Sequence, residues 1–235
     1  MADKKEILNQ IVSVLEKPFS VHGFRYVKRG RFECVTSDGN TRQQYNISLV
    51  GKYGCLSAHL AISVENKVLL KDYDGLYKET LIFTYRNFEE NWRNECIKRL
   101  QKNRYYSLCG LTDWRELKEE NETLENFNTR FSLWLTPYFQ DLEDLNRILK
   151  EKRSPTWQEQ CLTSISLSLK YFKKTENINW IIDNTEYQGL FLLKQMGQVE
   201  EAENKYNSLL ERMRKYKNNT DSIEYFYELL MNKDV

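Results

Sequence analysis

The densest group of residues with binding chemistry is the basic segment 25–31, Arg-Tyr-Val-Lys-Arg-Gly-Arg. Its candidate binding residues are Arg25, Tyr26, Lys28, Arg29 and Arg31. Arginine and tyrosine are preferred anchors at protein interfaces, and the same residue types grip phosphate or stack on bases. Positive charges on an edge strand also discourage aggregation between sheets, so a solvated strand edge is a sufficient explanation as well. We expect a protein-binding surface here, with nucleic-acid binding and a plain strand edge as the alternatives.

A second group centres on His59 and Trp114. By residue type, Cys55 and His59 are a nucleophile and a base, but four residues of one strand span about 13 Å, far beyond hydrogen-bond reach. This spacing excludes a dyad. Trp114 can line a pocket, although tryptophan in such a segment more often lies in the core. An enzyme of unfamiliar type, with a small-molecule pocket near His59 and Trp114, is therefore the second hypothesis.

The familiar cofactor and hydrolase motifs are absent: the sequence has no G-x-G-x-x-G, G-x-x-x-x-G-K-S/T, H-E-x-x-H or G-x-S-x-G. The chain has two histidines and five cysteines, and no two cysteines have C-x-x-C spacing. We therefore predict no cofactor and no metal site. The five cysteines are expected to be small core residues of a protein in a reducing compartment: Cys34, Cys55, Cys96, Cys109 and Cys161.

Charge and hydropathy narrow the class of protein further. The net charge of +1 divides into 18 Lys/Arg against 12 Asp/Glu in residues 1–110, which gives +6, and 17 against 22 in residues 111–235, which gives −5. This asymmetry is too mild to indicate a nucleic-acid binder. The sequence contains neither an apolar run typical of a signal peptide nor one of about 18 residues that could cross a membrane. We expect a cytoplasmic protein without a membrane span. The sequence does not determine the oligomeric state.

An antiparallel sheet must position the basic segment and His59. Strict alternation of apolar residues over 45–49 and 56–64 predicts two strands with one buried face. Gly51-Lys52-Tyr53-Gly54 between them predicts a hairpin turn, and Ser37-Asp38-Gly39-Asn40 predicts the preceding turn. A strand with a bulge at Gly30 is expected over 23–36. Short strands are also expected over 67–73 and 80–85.

Helices flank the predicted sheet. Asp3 and Glu6 have capping-box spacing and open a helix that Pro18 is expected to close. Helical periodicity further predicts helices over 89–102, 119–135 and 141–152. Ser154 and Pro155 are expected to start the next helix as N-cap and first residue. The prediction is an α+β fold in two domains: 1–153 with the antiparallel sheet, and 154–235, an all-helical segment of helical hairpins.

Two resemblances accompany these patterns. Residues 197–210 resemble the turn and second helix of a tetratricopeptide hairpin, which would lie near 185–215, although Leu190 stands where a small residue is usual and no second copy follows. Residues 4–150 resemble an uncharacterised bacterial domain-of-unknown-function family, through Gly23-Phe24, Asp113-Trp114 and Pro137-Tyr138-Phe139. That family implies no activity. Modules of this architecture are also common among bacterial immunity proteins.

The function expected first is thus non-enzymatic protein binding, with a bacterial immunity-type or regulatory role as its concrete form. The outer face of the sheet and the basic strand would contact the partner. The unfamiliar enzyme is the alternative, and weak nucleic-acid binding is third, disfavoured by the net charge.

Overall fold

The computed structural model describes residues 3–102, 107–111 and 113–233. The strands are β1 (Arg25–Lys28), β2 (Arg31–Val35), β3 (Thr41–Lys52), β4 (Cys55–Asn66), β5 (Ser107–Leu111) and β6 (Tyr138–Phe139). The helices are α1 (Lys4–Val21), α2 (Tyr73–Thr84), α3 (Glu90–Lys102), α4 (Leu124–Arg130), α5 (Leu142–Glu151), α6 (Trp157–Lys174), α7 (Ile178–Asn184), α8 (Tyr187–Gln195), α9 (Val199–Lys215) and α10 (Asp221–Asn232). Short 3-10 turns cover Trp114–Leu117 and Leu133–Leu135. The predicted α+β fold, with helices forming the C-terminal part, is confirmed.

The strands of the described residues form one sheet in the order β1-β2-β3-β4-β5, and β6 also pairs with β4. β1 pairs antiparallel with β2, and β2 with β3. β6 pairs antiparallel with the first part of β4, with Leu56 opposite Phe139. The chain divides into two compact units. Unit 1 comprises Met1–Val64 and Gly110–Glu176, and unit 2 comprises Glu65–Cys109 and Asn177–Val235.

Two tight turns set the registers of the hairpins. Tyr53 and Gly54, with φ of 53° and 79°, connect β3 to β4, so the predicted hairpin is confirmed. Arg29 and Gly30, with φ of 51° and 78°, connect β1 to β2 in the same way. The single strand with a bulge at Gly30 was therefore a wrong prediction. Gly30 is a turn residue, and the irregularity in register lies between Tyr26 and Lys28.

In unit 1 the buried face of the sheet packs against α1 and α6. Phe19 is fully buried, and its ring centroid lies 4.9 Å from those of Phe32 and Tyr45. The Tyr45 hydroxyl lies 2.8 Å from the Ser164 hydroxyl on α6. Pro18 does not close α1, which continues to Val21. Because Phe19 lies one residue beyond the proline, ending the helix earlier would remove this aromatic contact, and tertiary packing overrides the local preference.

The start of α6 also differs from its prediction. Thr156 is the N-cap, and its capping box with Glu159 is complete, whereas Ser154 and Pro155 precede the helix. The Ser154 boundary does not coincide with the division into units, since α6 contacts α1 within unit 1.

The helix predicted over 119–135 is likewise shorter. It is reduced to α4, because the Thr123 side chain caps the backbone N–H of Asn126, and a 3-10 turn follows. The predicted helices over 89–102 and 141–152 are confirmed to within one residue at each end, as α3 and α5.

Unit 2 contains α2, α3 and α7 to α10. The strands predicted over 67–73 and 80–85 are wrong, because 67–72 form turns and 80–84 belong to α2. Tyr73, Leu76 and Thr80 are its buried residues, spaced three and four apart as on one helix face. Among the described residues, none of the helices is both long and apolar enough to span a bilayer.

Candidate binding surface on the sheet

The outer face of the sheet is defined by the strand alternation. Phe32 of β2 and Tyr45 of β3 lie opposite each other and are fully buried, so they mark the inner face. Successive side chains of a strand point to opposite faces. Arg31 and Glu33 on β2 therefore belong to the other, outer face, as does Gln44 on β3, which lies opposite Glu33.

The cations of β1 share this outer face. Arg25 lies opposite Glu33 and Lys28 lies opposite Arg31. Tyr26 lies opposite Phe32 instead, and their ring centroids are 5.4 Å apart, so its ring belongs to the inner side. All four residues of β1 are exposed, and β1 is the last strand on its side of the sheet. The structure thus brings three of the predicted cations, Arg25, Lys28 and Arg31, onto one face, with Arg29 beside them in the turn.

The charge of this surface is only partly neutralised. Arg31 Nε lies 3.2 Å from Glu33 Oε1, which the Gln44 amide also approaches at 3.4 Å. In the part of the chain that the structure describes, Arg25, Lys28 and Arg29 form no ion pair. Lys28 and Arg31 are like charges directly opposite each other, which is an unfavourable cross-strand pair. The hairpin therefore carries an excess of positive charge on an exposed face.

His59 and Trp114 have different environments. His59 is exposed, and because its neighbour Ala58 is buried on the inner face, its side chain belongs to the outer face of β4. Trp114 is only 3% exposed and packs edge-to-face on Phe131, with ring centroids 5.2 Å apart. Its indole N–H donates to the Leu60 carbonyl at 3.3 Å. Trp114 therefore lies in the core, which is the alternative that the sequence left open.

The cysteines are free thiols. Cys109 and Cys161 are buried, and Cys34, Cys55 and Cys96 are partly buried. Burial raises the pKa of Cys161 to about 12 and also raises that of Cys34, so neither is an activated thiolate at neutral pH. Within residues 3–102, 107–111 and 113–233, no three His, Cys, Asp or Glu side chains are grouped so that they could hold a metal ion.

Sequence reasoning did not single out the residues that extend the outer face beyond the basic hairpin. Ser48 and Val50 of β3 and Ala61 of β4 are exposed there, and Val50 has 46% of its surface accessible. The signal was available, because the buried positions Ile47 and Leu49 assign Ser48 and Val50 to the opposite face. The outer face is thus exposed at Ser48, Val50 and Ala61 and buried at Glu33 and Gln44, with Arg25, Lys28 and Arg31 at its β1 edge.

The chain matches no protein-family model, and neither the curated proteins nor the solved structures contain a match.

Proposed function

We propose that this chain is a non-enzymatic binding module that recognises an anionic protein surface through the outer face of the sheet and the β1–β2 hairpin. The main support for this proposal is that Arg25, Lys28 and Arg31 lie together on one face of the hairpin. Of these three cations, only Arg31 forms an ion pair within the described residues, with Glu33. A bacterial immunity-type or regulatory protein is the concrete form of such a module.

The energetics of the hairpin favour an anionic partner. Lys28 and Arg31 repel each other across the strands, and carboxylates of a partner placed between them would replace repulsion with attraction. Val27, at the register irregularity of β1, retains 37% of its surface exposed beside these charges and offers apolar contact. Edge strand β1 can also pair with an extended segment of a partner through its backbone.

Protein is favoured over nucleic acid by the position of the aromatic residue. Single-stranded nucleic acid is held by aromatic platforms along a basic groove. Here the Tyr26 ring lies on the inner side against Phe32. The cations of this surface without an ion pair in the described structure, Arg25, Lys28 and Arg29, lie within one hairpin of a chain with a net charge of +1. These features suit a local contact with acidic side chains better than a contact that follows a phosphate backbone.

The test is a pull-down with the tagged protein from lysate of its own cells, with and without nuclease treatment, followed by mass spectrometry of the retained proteins. The variant is Arg25→Glu with Lys28→Glu, because these residues form no ion pair in the described structure and their reversal leaves the Arg31–Glu33 pair intact. The control is Lys4→Glu with Lys17→Glu, an equal charge change at exposed positions of α1.

We expect a stoichiometric partner that wild type and control retain and that the hairpin variant loses, with affinity weakened at least about tenfold, or about 1.4 kcal/mol. Equal retention by the hairpin variant would contradict the site. Retention of nothing by wild type, at low and at moderate salt, would contradict the function. Binding that disappears on nuclease treatment would show that the surface binds nucleic acid rather than protein.

A further inference from the structure

The exposed side of α10 in unit 2 carries a row of acidic and aromatic side chains. Asp221, Glu224, Tyr225 and Glu228 are spaced three and four apart, so at 100° per residue they share one side of the helix. The opposite side is buried through Ile223, Phe226 and Leu230. Tyr227 lies at the other margin of the exposed row, about 60° from Glu224.

Two stacked pairs of aromatic rings flank this row. Tyr225 stacks on Phe83 of α2, with ring centroids 4.0 Å apart and planes at 5°. Tyr227 stacks on Tyr206 of α9 at 3.9 Å and 4°. These four rings and the carboxylates of Asp221, Glu224 and Glu228 line a cavity of about 470 Å³, which we call the α10 trough. The trough is an open groove, and the stacking fixes its aromatic walls in advance of any ligand.

The trough has an excess of negative charge. Asp221 pairs with Arg86 at 2.7 Å and Glu224 pairs with Arg214 at 3.4 Å. Glu228 is exposed and, within the described chain, has no ion pair. Burial, followed by the charge of Glu224, raises the pKa of the Tyr206 phenol, so this ring remains neutral at physiological pH. One carboxylate beside four neutral rings therefore lacks a cation.

Arg86 already forms the kind of contact that a cationic ligand would make in the trough. The Arg86 guanidinium carbon lies 3.6 Å from the centroid of the Phe83 ring, while the same guanidinium donates to the Asp221 carboxylate. A cation is thus held at one end of the trough between a ring face and a carboxylate. Tyr225, Tyr227 and Glu228 repeat this combination of groups, without a cation of the chain paired to Glu228.

We propose that the α10 trough binds an alkylammonium group, supplied either by a small quaternary cation or by a lysine side chain. Aromatic rings attract such cations through their negative faces. Phe83 is already covered by Tyr225 on one face and Arg86 on the other, so the faces that would serve are those of Tyr225 and Tyr227 turned away from their stacking partners. Glu228 supplies the opposite charge. This site lies entirely on α2, α9 and α10 and is independent of the hairpin on the sheet.

The test is saturation-transfer NMR with a titration of affinity, using choline and its neutral isostere 3,3-dimethylbutan-1-ol, in which carbon replaces the charged nitrogen. Two further probes, Nα-acetyl-lysine methylamide and its Nε-trimethyl form, separate a small cation from a lysine side chain as the source. The variant is Glu228→Gln, which removes the unpaired charge at an exposed position. Its matched control is Glu211→Gln, at an exposed position of α9.

We expect choline or a lysine derivative to bind and the neutral isostere not to, with Glu228→Gln weakening binding about fivefold and Glu211→Gln leaving it unchanged. Tighter binding of choline would identify a small cation as the ligand, and tighter binding of a lysine derivative would identify a side chain. Equal binding of choline and the isostere would overturn the inference, as would an unchanged affinity in Glu228→Gln. Absence of binding by all three cations would overturn it too.

Discussion

Two buried tyrosine hydroxyls show how strongly a single polar atom depends on its partner. In unit 1 the Ser164 hydroxyl donates to the Cys161 carbonyl at 2.7 Å, so the Tyr45 hydroxyl must be the donor in its 2.8 Å bond to Ser164. In unit 2 the Tyr73 hydroxyl is buried and has no hydrogen-bond partner among the described residues. A satisfied hydroxyl stabilises the fold, whereas an unsatisfied one opposes it.

Replacing each tyrosine by phenylalanine should therefore have opposite effects. Tyr45→Phe is expected to lower the free energy of unfolding by about 1 kcal/mol, because it removes a buried hydrogen bond. Tyr73→Phe is expected to raise it by up to about 1 kcal/mol, because the ring contacts remain and an unpaired hydroxyl disappears. Urea unfolding followed by circular dichroism measures both changes. Loss of stability of equal size in the two variants would disprove the distinction.

Gly30 and Gly54 form a natural comparison at the two hairpin turns. Both have positive φ, 78° and 79°. A Cβ on Gly30 would overlap the backbone carbonyl of Ile47, whereas a Cβ on Gly54 would meet no atom within 4 Å. Gly30 therefore combines a conformational requirement with a steric one, and Gly54 has only the first.

The expected result is a clear difference between the two alanine variants. Gly54→Ala should lower the free energy of unfolding by about 1 kcal/mol, the cost of left-handed backbone for an L-residue. Gly30→Ala should lower it by about 3 kcal/mol or more, because the backbone of β3 must also move. Differential scanning calorimetry of both variants tests this expectation. A Gly30→Ala protein as stable as Gly54→Ala would show that the backbone of β3 can move without lowering the free energy of unfolding.

At the scale of the secondary-structure elements, Glu122 organises the segment that leads into α4. Arg130 donates from Nε to Oε1 and from its terminal nitrogen to Oε2 of Glu122, each at 2.8 Å. The backbone N–H of Glu119 donates to Oε2 at 3.1 Å. The hydrogen bonds from Arg130 are the main reason that the pKa of Glu122 lies below its ordinary value.

Glu122→Gln should lower the free energy of unfolding at pH 7 by about 1 kcal/mol, because a bidentate pair with partial exposure is lost. The folded-state pKa is lowered, so the contribution is present above the unfolded pKa of about 4.3 and is lost as the pH falls below it. The difference from wild type should therefore be smaller at pH 3 than at pH 7. Urea unfolding at pH 7, 5 and 3 measures it, with the exposed Glu120→Gln as control. A difference of the same size at pH 7 and pH 3 would contradict ion pairing as its cause.

The elements also show which features a sequence can predict. The β3–β4 hairpin follows from strict alternation and a glycine-containing turn, both of which are local. The local pattern of residues 80–84 predicts a strand, but these residues belong to α2, whose packing depends on distant residues. Tyr73 of α2 packs on Phe191 and Phe226, more than 110 positions away. Pro18 within α1 has the same explanation, since the contacts of Phe19 outweigh a local preference.

The candidate sites divide in the same way. The outer-face cations are close in sequence, but alternation alone would place Arg25 and Lys28 on opposite faces, and it is the register irregularity between Tyr26 and Lys28 that brings Arg25 to the face of Arg31. The α10 trough was not predictable, because Phe83, Tyr206 and Tyr225 come from three separate helices. Only the spacing of Asp221, Glu224 and Glu228 was visible in the sequence, and such a pattern ordinarily marks a solvated helix face.

At the scale of the whole molecule, the net charge of +1 conceals two sites of opposite sign. The hairpin in unit 1 has an excess of cations, and the trough in unit 2 has a carboxylate without an ion pair in the described chain. The ligand proposed for each site has the opposite charge, so added salt should weaken both interactions through screening. The identity of the ligand, rather than the response to salt, therefore distinguishes the two sites.

The buried thiol of Cys161 offers a measure of how cooperatively unit 1 unfolds. Cys161 is fully buried on α6, and burial raises its pKa to about 12. Cys55 is only partly buried and lies directly after the β3–β4 turn. Alkylation requires an accessible thiolate. In native protein, iodoacetamide should therefore modify Cys55 readily, and Cys161 only when unit 1 opens.

If that opening is global, the rate of Cys161 modification should follow the stability of the unit. Gly30→Ala, with its expected loss of about 3 kcal/mol, should accelerate the labelling of Cys161 by about 100-fold, since 1.4 kcal/mol corresponds to a factor of ten. Gly54→Ala should accelerate it by only about fivefold. Peptide mapping by mass spectrometry after timed alkylation measures both rates, with Cys55 as the internal reference. A Cys161 rate indifferent to Gly30→Ala would mean that α6 opens locally, without disruption of the β1–β2 hairpin.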